Sequence, residues 1–328
     1  MDASCLTIGL VNNMPDAALQ ATERQFEALL GAAADGLTVR LRPYALPEVP
    51  RTPWGRDYVT RSYARIEELR ESGVDALIVT GTEPRSPDLT AEPYWGSLTR
   101  LLEWAEDHTY STVWSCLATH AALLYMDGIG RRPLDEKRFG VYECDRVSDH
   151  PLMAGAPSRV RMPHSRWNEI SEETLVSRGY AVLTRSDDAG ADTFVKERKS
   201  LFVFFQGHPE YEAQTLMLEY RRDIKRFLLR ERDSYPAMPH GYFDTATVEA
   251  LTALRDRAVG DRREEVLSDF PLALAAGTVT NTWRATATSV YRNWLRYVSD
   301  RKRAAAGLAP RAGLEPATPG LTVRCSTD

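Results

Sequence analysis

The sequence predicts an α/β protein whose mostly parallel sheet is covered by helices on both faces. Three observations carry this reading. Apolar runs alternate with segments of helical spacing through the first 125 residues. Several runs end at a glycine or at a turn into a helix, as at Gly81 and Cys116. Cys116 and His208 both stand at the ends of such runs, and in an open α/β sheet the carboxyl ends of the strands hold the site.

Residues 6–11 read as a buried strand, 17–34 as a helix and 37–41 as a second strand. A Pro-rich loop follows over 43–53, then helical spacing over 62–72 and a strand at 74–81 that ends on a Gly turn. Residues 94–107 read as a helix, 111–115 as a central strand and 117–125 as the helix beyond the turn at Cys116. Past Gly128 the signals mix, with short strands expected near 138–144, 159–161, 181–186 and 191–196, then the apolar run 200–207 that delivers His208. Residues 213–232 form a long amphipathic segment, and 246–268 and 282–302 also have helical spacing. In the last of these, Trp283, Tyr291, Trp294, Leu295 and Val298 can share one apolar face.

The chain has 328 residues, 43% of them hydrophobic and 27% charged, the balance of a soluble globular protein. The expected organisation is one catalytic domain over 1–303 and a disordered tail over 304–328, a stretch rich in Pro, Gly and Ala without a period. A net charge of −5 argues against a nucleic-acid surface. No run is apolar enough to span a membrane, and residues 1–9 lack the pattern of a signal peptide, so a cytoplasmic protein is expected. Four cysteines in so long a chain do not make a disulfide framework, and Cys5, Cys144 and Cys325 carry no partner signal.

The chemistry-bearing residues are Cys116 and the run His208-Pro209-Glu210. A thiolate that attacks an acyl carbonyl needs a base for its proton, a group to orient that base and N–H donors for the oxyanion. Cys116, on a sharp strand-to-helix turn, would face the amides and positive end of the following helix, which favour thiolate. His208 would be the base and Glu210 its orienter. His120, one helical turn beyond Cys116, reads as a packing or capping residue. No second Cys or His pair at ligand spacing supports a metal, and none is expected.

The sequence resembles the homoserine O-acyltransferase family, the O-succinyltransferases and O-acetyltransferases of the class I glutamine-amidotransferase-like (flavodoxin-like) fold. The resemblance runs from about residue 6 to 299. It is carried, in the family's order, by Asn12-Asn13-Met14-Pro15, Leu77-Ile78-Val79-Thr80-Gly81, Tyr94-Trp95, Ser115-Cys116-Leu117-Ala118, Glu136-Lys137 with Gly140-Val141-Tyr142-Glu143, Pro163-His164-Ser165-Arg166, Gly207-His208-Pro209-Glu210-Tyr211 and Asn293-Trp294-Leu295.

The resemblance implies a catalytic Cys116, His208 and Glu210, no bound cofactor, and succinyl-CoA or acetyl-CoA as co-substrate. It implies that Cys116 is acylated and passes the group to the hydroxyl of L-homoserine, in methionine biosynthesis. Lys137, Ser165, Arg166, Glu219 and Arg222 are the substrate-binding residues it implies. Arg166 and Arg222 suit an amino-acid carboxylate, and Glu219 its ammonium group. A homodimer is the expected assembly.

Two departures bear on the acyl donor. Asp16 and Ala17 stand where the family has a Lys near the site. Arg85 falls, by ungapped count, at the loop position where the family has Gly with succinyl and Glu with acetyl transfer. A guanidinium there favours succinyl, unless Glu83 lies against it and neutralises it. The other enzyme readings are a class I glutamine amidotransferase or related Cys hydrolase, and O-acylation of another hydroxy amino acid such as serine. Against the amidotransferase, Ser115, Leu117, Ala118 and Thr119 surround the nucleophile where glycines are usual. A binding module that keeps only the fold is the non-enzyme reading, and the intact Cys-His-Glu set speaks against it.

Overall fold

A computed structural model of the chain describes residues 5–307. Its centre is a nine-stranded sheet. The first strand, β1 (Cys5–Val11), pairs in parallel with β2 (Thr38–Tyr44) on one side and β3 (Ala76–Val79) on the other. Between β1 and β2 lies α1 (Leu19–Ala33), which buries Phe26, Leu29, Leu30 and Ala33 along one stripe. The next two helices are α2 (Pro53–Ser62) and α3 (Ile66–Ser72). Pro53 opens α2 at a position that needs no N–H partner, and the Thr52 hydroxyl caps it by accepting from the Gly55 amide at 3.3 Å. The single helix expected over 62–72 is therefore the second of two, and part of the expected Pro-rich loop is strand and helix.

Helix α4 (Trp95–His108) leads into β4 (Ser111–Ser115), followed at once by α5 (Leu117–Asp127). The second half of the sheet starts with β5 (Arg132–Arg146) and β6 (Arg159–Glu169), a long antiparallel pair. After α6 (Glu172–Ser177) come β7 (Ala181–Ser186), β8 (Gly190–Glu197) and β9 (Leu201–Phe205). The spatial order is β2-β1-β3-β4-β9-β8-β7-β5-β6. From β2 to β9 all neighbours are parallel, and beyond β9 they are antiparallel.

Every residue of β3, β4 and β9 is buried, as strands covered on both faces require. On one face Trp114, Phe202 and Phe204 meet Leu98, Leu101 and Ala105 of α4 and Ala118, Ala121 and Ala122 of α5. On the other, Val113, Val203 and Phe205 meet α1 and the last helix, α10 (Arg284–Ala305). A third cluster joins α7 (Thr215–Leu228), α8 (Thr245–Gly260) and α9 (Leu272–Thr278) to Phe139 and Val141 of β5. Helix α10 (Arg284–Ala305) buries Tyr291, Trp294, Leu295 and Val298 against the sheet, and Trp283 just before it joins the third cluster. Of the tail expected from residue 304, residues 304 and 305 end this helix, and 308–328 lie outside the described residues, with Cys325 among them.

Candidate active site

Strand β4 hands its chain to α5 through Cys116, whose φ of +53° lies in the left-handed region that a side chain rarely adopts. Such strain persists only where the surroundings impose it. Here they do: the Cys116 amide donates to Phe205 O at 2.8 Å, tying the turn to the end of β9. The Thr119 hydroxyl, one step into α5, donates to Trp114 O at 2.7 Å and is 3.1 Å from Phe205 O. Gly81 completes the fit. A Cβ on it would stand 2.6 Å from Leu117 Cβ and 2.9 Å from Leu117 N, so only glycine lets the loop after β3 pass the turn this closely. The first amides of α5 lack helical acceptors and present N–H donors beside the Cys116 sulfur.

Since β4 and β9 are paired with Ser115 opposite Phe205, the chain beyond β9 arrives beside this turn. Gln206 binds Ala191 O, Ile170 N and His120, and Gly207 admits the backbone between Met162 and Asp192, where a Cβ would clash at 2.4 and 2.7 Å. His208 follows, its amide held by Pro163 O at 2.8 Å. Its Nδ1 is 2.9 Å from Glu210 Oε1, and both side chains are buried. Tyr211 stacks on the imidazole with ring centres 4.2 Å apart. Burial opposes charge on His208, but the Glu210 carboxylate and the nearby Cys116 sulfur outweigh it and hold its pKa well above the usual value.

His120 is the other histidine near the sulfur, and it is a packing residue. Burial drives its pKa down to about 3, and its Nε2 lies 3.1 Å from Gln206 Oε1. An acceptor-only oxygen there fixes a neutral ring that donates through Nε2.

A cavity of about 210 Å³ opens over the sulfur. Four of the expected substrate-binding residues meet on one wall. Glu219 of α7 accepts from Ser165 Oγ at 2.5 Å and from Tyr211 Oη at 2.6 Å. Lys137 Nζ stands 3.7 Å from the same carboxylate and 3.0 Å from Asp223 Oδ2. Arg222 also lies 3.7 Å from Glu219, and pairs with Asp223 at 3.1 Å. Burial raises the pKa of Asp223, but Lys137 and Arg222 overcome it and keep the carboxyl below its ordinary value.

Arg166 reaches the cavity from a buried position, with Nη1 on Asn168 O at 2.7 Å, Nη2 on Ala189 O and Nε on His164 Nδ1 at 3.3 Å. Three of its five N–H groups are thus engaged and two remain. Tyr211 completes the wall and Asp223 lies behind it, bound to Lys137 and Arg222, and sequence singles out neither. Asp223 follows Glu219 by one helical turn, which places both on the same face of α7, a spacing the sequence does show.

The two departures resolve differently from expectation. Arg85 is exposed and does not line the cavity; among the described residues only its amide is engaged, by Glu92. The reason is the fold of its loop, where the buried Glu92 carboxylate gathers the amides of Arg85 and Ser86 at 2.6 and 2.7 Å. Glu83 does not lie against it either, and instead pairs through both oxygens with Arg226 of α7 at 3.1 and 3.2 Å. Asp16 turns away from the cavity to bind Arg51 at 3.2 Å and the Thr52 amide at 2.8 Å. Met14 and Pro15 line the cavity in its place, so this turn brings no charge to the site.

The chain from residue 1 to 304 matches the family model described as homoserine O-succinyltransferase. A homoserine O-succinyltransferase of Rhodopseudomonas palustris is 49% identical over 294 residues, covering 89% of this chain and 88% of its relative. One of Methylorubrum extorquens is 46% identical over 301 residues, covering 92% and 89%. Among solved structures, a glutamine amido transferase from Methylobacillus flagellatus superposes with a TM-score of 0.50 at 14% identity, covering 96% of this chain and 99% of that one, a likeness of fold.

Proposed function

Because the chain belongs to the homoserine O-succinyltransferase family, we propose that it transfers a succinyl group from succinyl-CoA to the hydroxyl of L-homoserine in methionine biosynthesis, through a thioester on Cys116. The observation that carries the route is His208, held between the Cys116 sulfur and the Glu210 carboxylate at the ends of two neighbouring strands.

In the first half-reaction the Cys116 sulfur attacks the thioester carbonyl of the donor. The oxyanion forms against the Leu117 amide, and the leaving CoA sulfur takes its proton from His208. In the second, His208 removes the proton of the homoserine hydroxyl as its oxygen attacks the acyl carbon, and the Cys116 sulfur leaves. Glu210 keeps the imidazole oriented through Nδ1, so that Nε2 handles both protons. Glu219 suits the ammonium group of homoserine, and Arg222 with the two open N–H groups of Arg166 suits its carboxylate. Lys137 and Ser165 hold Glu219 and Asp223 in place. Dependence on a free thiol suits a reducing compartment, which supports a cytoplasmic enzyme.

The test is intact-protein mass after mixing with succinyl-CoA, then with homoserine. The wild type should gain one succinyl mass and lose it on addition of homoserine, while Cys116→Ala gains nothing. A Cys116→Ala protein that still acquires the group would overturn the assignment.

A further inference from the structure

We propose that Arg131 recognises the free carboxylate at the far end of the succinyl group and thereby sets the donor preference of the Cys116 site. The inference rests on the acyl-enzyme reading above and adds to it the residue that distinguishes succinyl from acetyl.

A succinyl donor carries what an acetyl donor lacks, a further methylene ending in a carboxylate about 4 Å from the acyl carbon along an extended chain. Its partner must be a cation that lines the cavity, lies near the sulfur and is not already neutralised. Most of the lining cations fail one condition. Lys137 and Arg222 are bound to Asp223, and Arg226 to Glu83. Arg232 is committed to the face of the half-exposed Trp167 ring, 5.7 Å from its centre. Arg166 spends three N–H groups on His164 and two backbone carbonyls, and its remaining two are assigned above to the homoserine carboxylate.

Arg131 meets all three. It lines the cavity from the segment between α5 and β5, and among the described residues no carboxylate lies within ion-pair distance of it. Only its Nη2 is engaged, by Pro87 O at 2.9 Å and Ser86 O at 3.5 Å. Nε and Nη1 remain open, leaving charged N–H donors on a planar cation for a carboxylate. Arg131 and Cys116 line the same cavity of about 210 Å³, which sets the guanidinium and the sulfur around one space.

Its tether is also organised. Ser86 and Pro87 belong to the loop that the buried Glu92 gathers by its amides, so the guanidinium is held by a loop that is itself fixed. This is the loop in which Arg85 was expected to read the donor. Arg131 contacts it from outside, and supplies the positive charge that the exposed Arg85 does not bring to the cavity.

The experiment measures kcat/KM for succinyl-CoA and acetyl-CoA at saturating homoserine in wild type, Arg131→Gln, Arg131→Lys and, as a control, Arg85→Ala. Loss of a desolvated charge-assisted pair lowers the succinyl-CoA value about 10- to 100-fold in Arg131→Gln, with acetyl-CoA within about threefold of wild type. Arg131→Lys keeps the charge and loses the planar array of N–H donors, so it should fall between, and it carries the test if the Gln variant unfolds. Arg85→Ala should change neither donor. Equal losses with both donors, or an unchanged succinyl-CoA value, overturn the proposal. Intact mass separates the two levels: a wild type that gains no acyl group defeats the acyl-enzyme reading and this inference with it. An Arg131→Gln protein that acylates from succinyl-CoA at the wild-type rate defeats only the role of Arg131.

Discussion

Glu210 meets His208 through one oxygen, at 2.9 Å from Nδ1, while its other oxygen is buried without a hydrogen-bond partner among the described residues. A buried acceptor left open is costly, on the order of 1–3 kcal/mol. The cationic ring beside it offsets that cost, so carboxylate and imidazolium support one another.

Removing the charge from Glu210 should therefore release the proton of His208. In Glu210→Gln the imidazole titrates at lower pH than in wild type, as read by NMR of the ring. The raised pKa also makes a stability contribution that is fully present below about pH 6.5 and lost as pH rises through the folded-state value. Thermal unfolding across pH should show that contribution shrink in Glu210→Gln. Identical titrations in the two proteins would defeat the pairing.

Two histidines near one sulfur should behave oppositely. His208→Ala loses general-base help, a cost of about 10² to 10⁴ in turnover. His120→Ala keeps Cys116 chemistry, and loses about 1–3 kcal/mol of stability by opening a buried hydrogen bond to Gln206. Steady-state rates beside melting curves check both, and an inactive but stable His120→Ala would reverse the assignment.

Gly81→Ala places a methyl 2.6 Å from Leu117 Cβ. The turn at Cys116 must shift, and since a misplacement of about 1 Å can cost about 10²-fold in rate, turnover should fall by that order. The rate of thiol modification at Cys116 should change with it. Wild-type turnover would show that the loop yields instead.

Arg222→Lys should raise the KM for homoserine more than that for the acyl donor, because the side chain loses its planar fork. Arg166→Lys should do the same and also lower the melting temperature, since this side chain holds Asn168 O and Ala189 O within the fold. Equal effects on both substrates would remove these residues from the acceptor site.

The meeting of Cys116 with His208 and Glu210 was legible because each follows a strand that the sequence announces: 111–115 and 201–205 are buried throughout. The wall of Lys137, Ser165, Glu219 and Arg222 came from the family resemblance, and its partners Tyr211 and Asp223 emerge only when α7 is set against β5 and β6. What the sequence hid has local causes. Pro163 interrupts the apolar pattern of β6, yet β6 is the last strand of the sheet, where a missing N–H is tolerated, so the strand runs to Glu169 and not merely through 159–161. Pro53 reads as loop but serves as the first residue of α2. Arg85 was misplaced because an ungapped count cannot show that Glu92 folds the loop around its own carboxylate.

Pairing of β4 with β9 joins positions far apart in the chain: Ser111 and Leu201, separated by 90 residues, are direct neighbours. Closing a loop of that length is slow relative to local helix formation. During synthesis the elbow of Cys116 thus leaves the ribosome well before its base, and a chain that stops short of β9 carries an ordinary thiol with no His208 beside it. On the proposed route acyl transfer requires this long-range closure of the sheet, and a chain that ends before β9 is expected not to consume the donor.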